Sequence, residues 1–134
     1  MTFMARIQID LASPVPAYEQ IVNAVRSLLV AGNLAPGDTL PSVRRLALDL
    51  RVHHNTVAEA YRVLAREGWL DLRRGRGATV VERPRPKPEA RAKKAFHREL
   101  KELLARGVSA GLSEAKAAAA LEALAFELRQ GGKL

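Results

Sequence analysis

A chain of 134 residues has room for one domain of ordinary size, or for a small domain with a helical appendage, and it excludes a large catalytic scaffold. Hydrophobic residues at 48% and charged residues at 27% exclude a disordered or fibrous chain. Twenty-two Lys and Arg against fourteen Asp and Glu give a net charge of +8 and a pI near 10.6, which favours a polyanionic partner, either nucleic acid or an anionic membrane surface.

In chain order, Ile7, Ile9 and Leu11 alternate with Gln8 and Asp10, the pattern of a short half-buried strand or an extended arm before SPVP breaks regular structure. From Ala17, the spacing of Tyr18, Ile21, Val25, Leu28 and Leu29 predicts an amphipathic helix, with Pro16 fitting its first turn and Gly32 just past its end. NLAPGDTLP reads as a loop with room for a two-residue strand at Thr39 and Leu40. Ser42 caps a second, short helix with an inward face of Val43, Leu46, Ala47 and Leu50. Arg51 and Val52 make a turn, and a third helix begins near His53 or His54, burying Val57, Ala60, Tyr61 and Leu64 and ending at Gly68. WLDL and ATVV across RRGRG predict a hairpin with a basic tip.

ERPRPKP, with three alternating prolines, disfavours helix and central strand and reads as an extended linker. The organisation expected is therefore a domain over residues 1–82 with an N-terminal arm, a linker over 83–88, and a helical segment over 89–134. In that last segment Phe96, Leu100, Leu103 and Leu104 keep a helical stripe interrupted by Gly107 and Gly111. Ser113 then caps a final helix carrying Ala117, Leu121, Leu124 and Leu128, before GGKL frays. Two such helices bury little by themselves, and the economical cover for their apolar faces is a second copy of the chain, so a homodimer through the C-terminal helices is expected.

Charge is divided unevenly. Residues 1–82 hold 10 Lys and Arg against 8 acids, or +2, whereas residues 83–134 hold 12 against 6, or +6, and the sum is the +8 of the whole. Local placement therefore matters more than the global value. Arg44, Arg45, Arg51, Arg62, Arg66, Arg73, Arg74 and Arg76 crowd the stretch from Leu40 to Val81, whose acids are Asp49, Glu59, Glu67 and Asp71.

Two short helices followed by a basic hairpin suit the placing of a helix in a DNA groove with a strand tip beside it. His54, Asn55 and Thr56 fall in the first turn of the third helix, where side chains and backbone amides together meet base edges and phosphates; Asn pairs with adenine through two hydrogen bonds. The competing reading of HHNT is a capping sequence serving only the helix. Arg44, in the first turn of the preceding helix, has the reach for guanine or phosphate, and its alternative is a solvated surface arginine. Arg74 and Arg76, separated by Gly75, can enter a minor groove or clasp the backbone, against a plain charged turn. His53 and His54 do not share a helix face and no cysteine accompanies them, so no metal is expected. Trp69 and Tyr61 read as core. The eight cations between Arg83 and Lys101 can lie along flanking phosphates or form a solvated helix face.

In order, the helix, the Pro-Gly loop, LPSVRRLA, HHNTV, a helix ending REGWL, and RRGRG resemble the winged helix-turn-helix domain of the GntR family of bacterial transcription regulators, over Pro16 to Val81. The short tail looks like that of the YtrA-type subfamily, in which a two-helix C-terminal segment serves dimerisation. The resemblance implies an α+β fold, a winged helix-turn-helix domain followed by a short C-terminal helical dimerisation segment. It places DNA contacts on Arg44, His53, His54, Asn55, Thr56, Arg74, Gly75 and Arg76. Two positions depart from the family pattern: Arg51 stands where glycine is common, and His54 where a guanine-reading arginine is often found.

The expectation is a homodimeric regulator, a repressor on a pseudo-palindromic operator, with double-stranded DNA as partner. A nonspecific architectural DNA binder and a winged-helix adaptor for another protein are the alternatives. No nucleophile with its base and no phosphate-cradling loop is present, so neither an enzyme nor a cofactor is expected. No apolar run approaches the ~20 residues of a membrane span and MTFMARIQID lacks a signal pattern, which points to the cytoplasm and away from a membrane. No residue identifies a small-molecule effector, and that partner stays open.

Overall fold

The structure is a computed structural model and describes residues 7–73, 77–83 and 89–131. The chain divides into two compact units after Arg83.

The first unit holds three helices and a small sheet: α1 (Ala17–Val30), β1 (Thr39–Leu40), α2 (Val43–Leu50), α3 (His54–Arg66), β2 (Leu70–Arg73) and β3 (Gly77–Val80). The sheet has the order β1-β3-β2, antiparallel throughout, with Leu70 opposite Val80 and Leu40 opposite Ala78. This is a winged helix-turn-helix arrangement, as the sequence leads one to expect. The core forms where the apolar faces converge. α1 contributes Ile21, Val22, Val25 and Leu29, α2 Leu46 and Ala47, α3 all four expected residues Val57, Ala60, Tyr61 and Leu64, and the sheet Leu40, Leu70, Ala78 and Val80. Val43 and Leu50, also expected to face inward, are partly buried against this cluster.

The N-terminal segment is an arm rather than a strand. Ile7 is buried and Ile9 packs partly against the core, but Leu11 is 68% exposed, so the alternation stops one residue short of its expected length. Hydrogen bonds from α1 replace a sheet partner. The Gln20 side chain accepts from the Asp10 amide at 2.8 Å and donates to the Asp10 and Val15 carbonyls at 2.9 Å each.

Tyr61 is the largest fully buried side chain, and its hydroxyl donates to the Pro41 carbonyl at 2.7 Å, tying α3 to the entry of α2. Burial pushes its phenol well above the ordinary value, so it remains a donor. Arg26 forms a two-bond ion pair with Glu67, joining α1 to the end of α3. Trp69 is half-buried beneath the Arg83 guanidinium, 4.7 Å from the ring centre, and Arg83 Nε donates to the Glu67 carbonyl at 2.7 Å. Arg83, the first cation of the expected basic run, is thus held within the first unit.

The second unit is a pair of helices, α4 (Ala90–Ser109) and α5 (Glu114–Gly131). Gly107 does not interrupt α4, because one glycine costs a 20-residue helix only about 1 kcal/mol. The break comes at Gly111, and Ser113 then caps α5 by accepting from the Lys116 amide at 3.2 Å. No residue of α4 is buried, and Ala117 is the buried hydrophobic residue of α5. Among the described residues no helix is long and apolar enough to cross a membrane.

Candidate nucleic-acid interface

The surface formed by the start of α2, the turn after it and the start of α3 gathers four of the cations and imidazoles that stand out in the sequence. Arg44, Arg51, His53 and His54, with Leu48, border one open crevice of about 670 Å³. Ser42 accepts from the Arg45 amide at 3.1 Å, which starts α2 so that Arg44 projects from its first turn. Arg44, Leu48 and Arg51 follow at spacings of four and three, along one face. Leu48, at 76% exposure, is an apolar side chain held between two cations in water.

The capping reading of HHNT is right for one residue, and it is not the Asn or the Thr. His53 caps α3, its Nδ1 accepting from the Asn55 amide at 3.1 Å. That bond requires an unprotonated Nδ1, so the ring's N–H is on Nε2 while the cap is closed. His54 stacks on it with ring centres 4.3 Å apart and an interplanar angle of 29°. Asn55 is exposed and Thr56 half-buried in the same first turn. Arg74, Gly75 and Arg76 lie outside the described residues.

Ion pairing thins the crowd of arginines. Arg45 pairs with Asp49 at 3.0 Å, Arg62 and Arg66 share Glu59, and Arg73 pairs with Asp71 at 2.7 Å. Glu59 is held below the ordinary carboxylate range chiefly by the hydrogen bond from Arg62, with Arg66 adding to it. Among the described residues of α2, α3 and the hairpin, Arg44 and Arg51 are the arginines left without an ion pair, and both border the crevice.

Arg51 also carries an unusual backbone. The turn after α2 closes with Val52 N–H donating to the Ala47 carbonyl at 3.1 Å and Arg51 N–H to the Leu48 carbonyl at 3.4 Å, which forces the residue between into the left-handed region. Equivalent turns follow α1, α3 and α4, and there the residue is Gly32, Gly68 and Gly111. Arg51, at φ 58 and ψ 45, is the non-glycine residue with positive φ among those described.

The sequence profile for bacterial regulatory proteins of the gntR family matches residues 17–80, which is α1 through β3. The HTH-type transcriptional repressor YtrA of Bacillus subtilis is 47% identical over 76 residues, covering 57% of this chain and 58% of that repressor. The regulator Rv1152 of Mycobacterium tuberculosis is 38% identical over 86 residues, covering 64% of this chain and 70% of that protein. Among solved structures, YtrA from Sulfolobus acidocaldarius, a GntR-family transcription factor, superposes with a TM-score of 0.56 at 33% identity, covering 78% of this chain and 98% of that one. The chain belongs to the gntR family. The matched stretch spans little more than half of the Bacillus repressor's length.

Where the resemblance leads one to expect glycine, Arg51 itself takes the left-handed conformation that favours glycine. Sequence reasoning flagged that position for its missing glycine but did not rank Arg51 beside Arg44, and it passed over Leu48. The signal that finds Leu48 is its spacing, four residues after Arg44 and off the inward face of α2.

Proposed function

We propose that the protein is a homodimeric, sequence-specific transcription repressor that acts in the cytoplasm on a pseudo-palindromic operator. One observation carries the reading. The two arginines of the helix-turn-helix without an acidic partner, Arg44 and Arg51, flank the exposed end of α3 where His53, His54 and Asn55 project. A cation kept free of its neighbours and set beside an exposed helix start is what phosphate and base-edge contacts need.

In this reading the first turn of α3 enters the major groove. Asn55 pairs with an adenine edge, His54 and Arg44 contact bases or phosphates, and Thr56 reaches the backbone. His53 presents Nε2–H outward as a hydrogen-bond donor while its other nitrogen holds the helix start. Leu48 offers an apolar contact to a thymine methyl between the two arginines. The hairpin tip, Arg74 to Arg76, takes the neighbouring groove or backbone.

The apolar surface of the second unit supports the dimer. Phe96 and Phe126 are 68% and 62% exposed, and α5 is alanine-rich with Leu124 and Leu128 exposed as well, apolar surface of the kind another surface covers. A two-fold pair of heads demands two half-sites related by the same symmetry.

Selection of bound sequences from a random duplex pool tests the proposal. The expected product is an inverted repeat, preferred over random duplex by at least ~10³ at physiological salt. Recovery of no preferred sequence, or unchanged preference in both Asn55→Ala and Arg44→Ala, would overturn the assignment of the reading surface.

A further inference from the structure

We infer that one face of α4, carrying Arg91, Lys94, Arg98 and Lys101, binds the phosphates of duplex DNA beside the site read by the first unit; this rests on the DNA-binding reading proposed above.

The four cations follow one another at spacings of three, four and three, which on an α-helix places them along one face over a rise of about 15 Å. All four are exposed, and among the described residues none is ion-paired. Glu102 stands four residues after Arg98, yet no ion pair forms between them, whereas Arg45 and Asp49 close that spacing in α2. The apolar residues Phe96, Leu100 and Leu103 fall on the opposite side of the helix by the same periodicity, so the cations lie away from the seam available for packing.

The placement runs against the helix's own electrostatics. Three successive neighbours at three- and four-residue spacing are like-charged, an arrangement that destabilises an isolated helix. Arg91, Lys93 and Lys94 crowd the N-terminal end, where the macrodipole disfavours positive charge, with no acidic residue in the first turn and no side-chain cap from Glu89. α5 supplies the contrast within the same unit. It has Glu114 in its first turn and Arg129 in its last, the order a helix dipole favours. A polyanion along α4 removes both penalties at once.

Duplex DNA fits in charge density and in reach. Each strand presents a phosphate about every 3.4 Å along the axis, so a 15 Å stripe faces on the order of four phosphates, one for each cation. Six residues separate Arg83 from Ala90, a tether of at most about 25 Å at full extension. A first unit seated on DNA therefore holds the stripe at high effective concentration near the same duplex.

The test compares the full chain with the variant R91Q/K94Q/R98Q/K101Q on the selected operator and on a random duplex, over about 50 to 200 mM salt. The variant is expected to remain dimeric and helical and to lose affinity by the same factor on both duplexes, on the order of tenfold or more. The slope of log K against log salt becomes shallower by about 0.9 for each contact removed. The charge-keeping variant R91K/K94R/R98K/K101R should behave as the parent. The single variants Lys94→Gln and Arg98→Gln, which leave the rest of the helix as it is, should each remove about one contact's worth of slope. Unchanged slopes in a chain that binds duplex would overturn the stripe and leave the reading head standing. Binding of the parent chain to phosphatidylserine vesicles at a salt concentration that releases duplex would overturn it in favour of a membrane surface. Absence of any duplex binding by the parent chain would overturn the function proposed above and the stripe with it.

Discussion

The two units satisfy their apolar surface by opposite means. The first closes a core from elements far apart in sequence, with α1, α3 and the sheet converging on Tyr61, Ile21 and Leu64, and needs nothing further to bury it. The second places 38 residues in two helices and buries almost none of them, leaving Phe96, Leu103, Leu124 and Phe126 in water. The difference separates two kinds of stability. The head's is set within one chain, and the tail's depends on what covers it, which under the proposed function is a second copy at a given protomer concentration.

The largest effect is expected at the tail. Phe96→Glu with Leu103→Glu should dissociate the dimer and lower operator affinity by about 10² to 10⁴, the range in which two linked sites exceed one. Sedimentation equilibrium beside duplex titration checks this, and a monomer with parental affinity would show that the tail has no part in assembly. Next in size, one type of change can be placed in both units. Leu64→Ala should cost ~2 to 5 kcal/mol in urea unfolding at any protein concentration, as a core cavity does. Leu124→Ala should act only where the dimer is populated, with an unfolding midpoint that depends on concentration. A concentration-independent loss at Leu124 would mean that the tail is stable alone.

At the reading surface, Asn55→Ala should lose ~1 to 3 kcal/mol of discrimination at a single base pair while leaving the unfolding midpoint nearly unchanged. The smallest effect is the most diagnostic. Arg51→Gly relieves a left-handed backbone and should raise stability by about 1 kcal/mol or less, the steric gain being offset in part by glycine's chain entropy. Operator affinity should fall in the same variant. Stability and binding moving together would show that Arg51 is tolerated for some reason other than DNA.

Much of the head is legible because its information is local. The inward face of α3 can be read from four residues on a helical period, and all four are buried. Ser42 and the glycines at the helix ends announce themselves by cap and turn chemistry that involves only their immediate neighbours. The ion pairs of α2, α3 and β2 are local in the same way: Arg45 stands four residues before Asp49, Arg62 three and Arg66 seven after Glu59, and Arg73 two after Asp71, while Arg44 and Arg51 have no acid three or four residues away. His53 as the cap was hidden, because Asn and Thr are the commoner caps and the imidazole is favoured only by its position one residue before the helix.

The helical periods, the breaks between them, the basic character of the stretch from Leu40 to Val81 and the surplus of apolar surface in the tail are all legible in the chain's order of residues. These follow from steric and hydrogen-bonding preferences acting over three or four residues. The closed fold alone settles that Arg26 meets Glu67, that Arg83 folds back over Trp69, and that Gln20 rather than a neighbouring strand secures the N-terminal arm. Those outcomes depend on groups brought together from 10 to 41 residues apart, as in Gln20 with Asp10 and Arg26 with Glu67, and only the closed core fixes which of them meet.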